Sequence, residues 1–406
     1  MATAWSNWAG ERCVPAVYEE PSSVEEVVAA VRRAAAAGQT VRVAGAGHSF
    51  SSAVLTGGTM LSLRRMARVL DVDPVRGLVR VQAGITLGAL SAVLWEHGLA
   101  FENLGDIDVQ TIAGATATGT HGTGERLRNL SAGLVAVQLV DAAGEVHELT
   151  ADDADGGETW RAARVSVGAL GVVTAVTLRA VPAFVLSGAD RVEPREEVFD
   201  AFDERSAAHD HFECWAFAYA KDVITRNNDR VDGPPRPRGT VGAWLEDVAL
   251  KNGALAALSM AGRARPQLIP ALNRTATRFG AGPVLIDRSY RIFATPRLVH
   301  FNEMEYAIPR AHLVPAARVL FAAIFVMAAP GHFGSEAMAT VSAERARLTC
   351  PLMNNTGTRS AARSPRLPPE TRSGASENSL AKAPKSAPAR AFSATICARL
   401  INAASF

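Results

Sequence analysis

Arg42-Val43-Ala44-Gly45-Ala46-Gly47-His48-Ser49-Phe50 is the stretch on which the reading of this chain turns. A short apolar strand runs into two glycines one residue apart, and a histidine follows at once. Glycine tolerates positive φ and lets the main chain approach a ligand closely, with amide N–H groups turned toward an anion. His48 is thereby set against whatever the turn holds, which makes a phosphate cradle with a nucleophilic ring beside it. A Gly-x-Gly-x-x-Gly dinucleotide turn, with Asp71 or Asp73 as its distal acid, is the competing reading. It fails at Phe50, where the third glycine belongs, and at residues 51–59, which carry no amphipathic helix. The bland alternatives are a structural turn and a hydrogen-bonded loop histidine.

Outward from that turn, the pattern alternates helix and strand. Residues 22–38 read as a helix. Ser22 and Glu25 form a capping box, Val24, Val27, Val28 and Val31 share one face, and Gly38 ends it. Strands are expected at 40–44, 60–63, 69–72 and 78–82. A second helix is expected at 87–97, with Leu87, Leu90 and Leu94 inward and Gly98 closing it. Residues 99–124 read as an extended, winding loop. Residues 134–140 and 145–149 flank Asp141-Ala-Ala-Gly144 as a hairpin. Residues 169–178 complete this unit near Val181-Pro182. A second unit opens at 183, with an aromatic strand over 210–219, a loop over 233–239 and an Ala-rich helix around 244–262.

Bulk composition narrows the class. The chain has 406 residues, 48% hydrophobic and 20% charged, with a formal net charge of +2. That length suggests two domains and a large core. The charge balance offers no strong field for nucleic acid or an anionic membrane. No apolar run approaches the roughly 18 residues of a spanning helix, which leaves peripheral membrane association open. The first residues carry neither a basic nor an apolar leader segment. Cys13, Cys214, Cys350 and Cys397 are scattered singly, with no metal-ligand spacing, as fits a reducing cytoplasm.

A second signal runs through Leu104-Gly105-Asp106-Ile-Asp108-Val-Gln110-Thr111-Ile-Ala-Gly114-Ala-Thr116-Ala-Thr118-Gly119-Thr120-His121-Gly122-Thr123-Gly124. Small residues at nearly every position suit main chain wrapping closely around a large planar ligand that carries a pyrophosphate. Amides of 119–122 serve oxygens, and Thr and His side chains add donors. A flexible glycine-rich loop is the alternative.

Together the two stretches resemble the flavin domain of the vanillyl-alcohol-oxidase superfamily. More narrowly the chain resembles the sugar-1,4-lactone oxidases, which act on D-arabinono- and L-gulono-1,4-lactone, and the related alditol oxidases. The likeness runs from Trp5 to about Leu320. It includes Trp5-Ser-Asn-Trp8, Ala169-Leu-Gly171-Val172-Val-Thr174 and Asn302-Glu-Met-Glu-Tyr-Ala-Ile-Pro309. The resemblance implies an α+β fold. A two-subdomain FAD-binding domain of the vanillyl-alcohol-oxidase type spans 12–182, and an incomplete α+β substrate domain spans 183–325. It implies FAD joined covalently through the His48 ring to the C8α methyl. Arg42, Val43, Ala44, Gly45, Ala46, Gly47, His48 and Ser49 hold the pyrophosphate. Gly105, Thr111, Gly114, Thr118, Gly119, His121 and Gly122 lie along the isoalloxazine, and Gly171 and Val172 close the adenine side. Gly105 and Asp106 take the catalytic positions. Glycine at 105 leaves room for dioxygen beside the flavin, which favours an oxidase forming hydrogen peroxide, and Asp106 lies near the substrate. The partners implied are a sugar lactone or polyol and dioxygen.

The pattern breaks after about residue 325. Two motifs of the family's substrate half, Glu-x-Arg and His-Trp-Gly-Lys, have no counterpart; Glu344-Arg-Ala and Gly331-His-Phe-Gly334 do not match them. Residues 340–395 are dense in Ser, Ala, Pro, Arg and Thr without helical or strand period. The expectation is a disordered tail over 326–406 whose sequence is not that of the family, through a shifted frame or a divergent end. A flavoprotein that has lost turnover is therefore the alternative to an active oxidase.

Overall fold

The computed structural model describes residues 4–152, 157–300, 305, 308–328 and 397–400. Val17–Glu19, Thr59–Ser62 and Val41–Ala44 form a parallel sheet with Thr59–Ser62 at its centre. Parallel neighbours need a crossover, and the helix Val24–Ala36 supplies it between the two outer strands. Its N-cap is Ser23, one residue later than the sequence suggests. The Ser23 hydroxyl accepts from the Glu26 N–H, and the Glu26 carboxylate accepts from the Ser22 N–H at 2.7 Å. Ser22-Ser23 and Glu25-Glu26 permit either register. The later one buries Val27, Ala30, Val31 and Ala34 together.

An antiparallel sheet follows, ordered Val146–Thr150, Leu134–Val140, Val172–Arg179, Leu78–Gln82, Val69–Asp73. The expected hairpin is present, with Gly144 at φ +78° in its turn. The helix Leu87–Glu96 is capped by Thr86 and buries Leu87, Leu90 and Leu94, as its spacing predicts. Val140 and Val172 of this sheet pack with Val27, Val31, Leu61 and Met66, which locks the two subdomains together.

A second antiparallel sheet is ordered Leu285–Arg288, Val185–Pro194, Asp222–Val231, His211–Phe217, Cys397–Leu400. One apolar core continues from Val79, Leu90 and Val176 into Leu186, Tyr290, Ile292 and Phe293. The halves on either side of residue 183 therefore share buried surface. The expected Ala-rich helix begins earlier and ends later, as a continuous helical run over 240–264.

The tail differs from expectation in two places. The helix Arg310–Ala328 carries past residue 325, and Cys397–Leu400 pairs antiparallel with His211–Phe217. An edge strand offers a ready row of N–H and C=O groups, and four residues suffice to pair with it without any apolar period in the tail. Chain contacts separate residues 1–321 with 393–406 from residues 322–392, of which only the helical turns at 322–328 are described. The rest of the expected disordered tail, and most of the stretch 301–307, lies outside the described residues. No helix among the described residues is long and apolar enough to cross a membrane.

Candidate functional site

The Val41–Ala44 strand delivers the glycine turn. Arg42 is exposed, whereas Val43 and Ala44 pack inward, so residues 43 and 44 face a ligand only through main chain. Gly47 is left-handed at φ +73°, which favours glycine, and the Trp8 N–H donates to its carbonyl at 2.7 Å. No acceptor among the described residues takes the N–H groups of Ala46, Gly47 or His48. The Ser49 hydroxyl is engaged within its own turn, accepting from the Ser51 N–H at 3.1 Å.

The second glycine-rich stretch packs directly on this turn. A Cβ on Gly45 would stand 2.6 Å from Thr111 Oγ1, so only glycine lets the two loops meet. Thr111 also caps a six-residue helix, Ile112–Ala117, accepting from the Gly114 N–H at 3.3 Å. The winding loop expected here is thus interrupted by a helical turn. Buried Ile112 and Ala115 stabilise it despite the Gly and Thr content. Thr118 closes it and donates to the Gly114 carbonyl. Gly119 follows at φ +71°.

Gly105, His121 and Gly122 come together. A Cβ on Gly105 would lie 3.1 Å from the His121 carbonyl, and one on Gly122 would lie 2.2 Å from both Asn103 Oδ1 and the Leu104 carbonyl. His121 Nδ1 lies 2.8 Å from the Gly122 carbonyl, and its Nε2 lies 2.6 Å from Glu305 Oε1. Carbonyl and carboxylate are both acceptors, so the arrangement is satisfied with both ring nitrogens carrying protons. At the far end, Gly171 allows Val140 to approach; a Cβ there would meet its carbonyl at 2.3 Å. The Val172 side chain lies in the core. Residues 165, 167, 168 and 170 are exposed. Val167 holds φ +50°, an uncommon geometry for a β-branched residue, and its N–H donates to the Ala117 carbonyl at 3.0 Å.

Three aromatic rings form a stack that the sequence does not announce. His48 lies on Trp8 with centroids 4.3 Å apart, and Trp8 lies on His300 at 3.9 Å. Burial, and then the charge of His300, push the His48 imidazole below its ordinary pKa. The neutral ring with a free lone pair is thereby favoured. Trp8 belongs to a motif quoted above, but nothing local marks His300 as its partner.

Asp106 gathers charge from the second half of the chain. Arg297 Nη2 pairs with its carboxylate at 3.0 Å, and the Thr295 N–H donates to its carbonyl at 2.9 Å. Arg226 forms a bidentate pair with Asp190 at 2.7 and 2.8 Å and lies over the Trp215 ring. Burial works to lower the Arg226 pKa, but the hydrogen bond and charge of Asp190, with Glu213 and Asp106, carry it above its ordinary value. Asp106, directly after Gly105, thus sits in the field of two guanidinium groups.

Known proteins are similar to this chain in sequence and fold. Residues 15–150 match the FAD binding domain model, and residues 176–343 match the D-arabinono-1,4-lactone oxidase model, past the change in composition at 325. An L-gulono-1,4-lactone dehydrogenase of Mycobacterium tuberculosis is 44% identical over 313 residues, covering 76% of this chain and 71% of that protein. The L-gulonolactone oxidase of Bos taurus is 33% identical over 309 residues, covering 75% and 69%. Among solved structures, cholesterol oxidase from Brevibacterium sterolicum superposes with a TM-score of 0.65 at 17% identity, covering 80% of this chain and 68% of that one.

Proposed function

Because this chain belongs to the D-arabinono-1,4-lactone oxidase family of FAD-dependent oxidoreductases, we propose that it oxidises a carbinol carbon of a sugar-1,4-lactone and passes the electrons to dioxygen. The observation that carries this reading is the meeting of three parts. Thr111 of the 105–122 loop packs on Gly45 of the histidine turn, and Arg297 and Arg226 from the second half of the chain bear on Asp106 in that same loop. The residues fit FAD. Open amides at 46–48 suit a pyrophosphate, glycine at 45 and 105 lets the loops behind those amides pack closely, and exposed Val165, Val167 and Leu170 offer an apolar seat for a purine.

When bound, FAD supplies the two-electron acceptor. The substrate hydroxyl must lose a proton as its carbon gives up hydride, and negative charge grows on that oxygen. Arg297, paired with the residue that follows Gly105, is placed to stabilise it. Asp106, held by Arg297 and facing Arg226, orients sugar hydroxyls by accepting their hydrogen bonds.

Anaerobic mixing of the flavin-loaded protein with lactones and polyols tests the proposal. D-arabinono- or L-gulono-1,4-lactone is expected to bleach the flavin's visible absorbance, and air to restore it with one hydrogen peroxide per turnover. Bleaching by xylitol or sorbitol alone would reassign the protein as an alditol oxidase. Bleaching by none of them would leave a flavoprotein without this turnover.

The acceptor turns on Gly105, since the relatives include both a dehydrogenase and an oxidase. An alanine methyl would stand 3.1 Å from the His121 carbonyl and 3.5 Å from Thr120 Cγ2. G105A is expected to slow reoxidation by dioxygen at least about tenfold, roughly 1.4 kcal/mol of barrier. Reduction by the lactone stays within about threefold. Stopped-flow reoxidation checks it, and an unchanged oxygen rate removes Gly105 as the gate.

A further inference from the structure

A cleft of about 360 Å³ opens where the last turn of the helix Leu87–Glu96 meets the strands Val185–Pro194 and Asp222–Val231. Trp95, Phe184, Val185, Arg230, Val231 and Asp232 line it. That volume is at the small end of ligand pockets, so its occupant is a small molecule. The cleft lies apart from the substrate side. Arg230 follows Arg226 by four residues on one strand, about 14 Å at the rise of extended chain.

Its floor is aromatic and held in place. The Trp95 ring meets Tyr290 edge-on at 6.3 Å, and Phe184 meets Phe293 edge-on at 6.4 Å. Tyr290 and Phe293 are themselves buried. A guanidinium lies over each ring, Arg230 over Phe184 at 4.0 Å and Arg288 over Trp95 at 5.4 Å. Such stacking uses the face of a guanidinium and leaves its N–H edge for an acceptor. Two neighbouring acids bond main chain instead. Asp210 accepts from the Arg230 N–H at 2.8 Å, and Asp287 accepts from the Arg288 N–H at 2.7 Å. Arg288 Nη1 donates to the Tyr290 hydroxyl at 3.3 Å, and its Nε is buried with no acceptor among the described residues. Asp232 stands exposed at the rim, and neither it nor Arg230 joins an ion pair among the described residues.

We propose that this cleft binds a small, flat organic carboxylate. The fork of Arg230 matches a carboxylate through two parallel hydrogen bonds. The flat body lies against Trp95, Val185 and Val231, on rings already fixed before the ligand arrives. A phosphate gains less, because the rings offer it nothing and Asp232 opposes a second negative charge. The inference is independent of the redox chemistry proposed above and needs no turnover to test.

Calorimetric titration of the flavin-loaded full chain with sodium benzoate is the experiment, and one saturable site is expected. Benzyl alcohol is flat but uncharged, and inorganic phosphate is charged but has no flat body. Each is expected to bind at least about tenfold more weakly than benzoate. R230Q is expected to weaken benzoate at least about tenfold, while D232N tightens it about threefold by removing the opposing charge. Both side chains are exposed, so thermal unfolding stays unchanged. R297Q, on the substrate side, is expected to leave benzoate affinity within about threefold. Absence of a saturable site, benzoate no tighter than either control compound, or an affinity indifferent to R230Q overturns the proposal. Loss of the benzoate site in R297Q also overturns it, by moving the ligand to the substrate side.

Discussion

Alanine in place of Gly122 is expected to cost about 3 kcal/mol of folding free energy and to abolish flavin binding together with it. The added methyl would stand 2.2 Å from two atoms at once, Asn103 Oδ1 and the Leu104 carbonyl. Neither can step aside cheaply. Asn103 is buried and donates through Nδ2 to the Thr123 carbonyl at 3.1 Å, and the Leu104 carbonyl is main chain one residue from Gly105. Overpacking of this severity lies at the upper end of what cores tolerate. Relief by moving residues 103–105 would pull Gly105 away from the His121 carbonyl and open the cradle. The loss is steric, because Gly122 does not hold a left-handed φ. G57A is the matched control: its Cβ would meet nothing within 4 Å, and a change below about 0.5 kcal/mol is expected. Chemical denaturation and FAD titration read both quantities. A G122A protein as stable as the parent would mean that the two loops do not meet as described.

The parts of this site legible in the sequence are the local ones. Gly45, Gly47 and His48 announce a turn because each residue type restricts its own backbone, and Leu87, Leu90 and Leu94 announce a helix by spacing alone. The helix Ile112–Ala117 was hidden by its Gly and Thr, since propensity is a weak prior once a cap and two buried residues intervene. The Ser23 cap slipped by one because adjacent serines and adjacent glutamates leave the register to tertiary burial. Contacts between Asp106 and Arg297, or between Trp8 and His300, join residues hundreds of positions apart. No periodicity encodes such pairs; they follow from the two halves packing on one core. Cys397–Leu400 shows the same limit, since an edge strand is specified as much by the edge it joins as by its own residues.

H48A is expected to release all of the flavin on denaturation, where the unaltered chain retains it. Attachment would join a His48 ring nitrogen to the C8α carbon of the flavin, with dioxygen as the acceptor of the two electrons released. The attacking ring must be neutral and aimed. Burial and His300 favour the neutral form, and the face of Trp8 fixes the plane at a centroid distance of 4.3 Å. Non-covalent binding in H48A should persist, because the amides at 46–48 and the glycine cradle are untouched. W8A removes only the aiming surface, so it is expected to retain FAD while lowering the covalent fraction severalfold, and W8F restores most of it. Fluorescence of the denatured polypeptide band against total bound flavin separates the two quantities. Free flavin released from the unaltered, folded protein would refute His48 as the attachment point. A covalent fraction unchanged in W8A would confine Trp8 to packing the N-terminal strand.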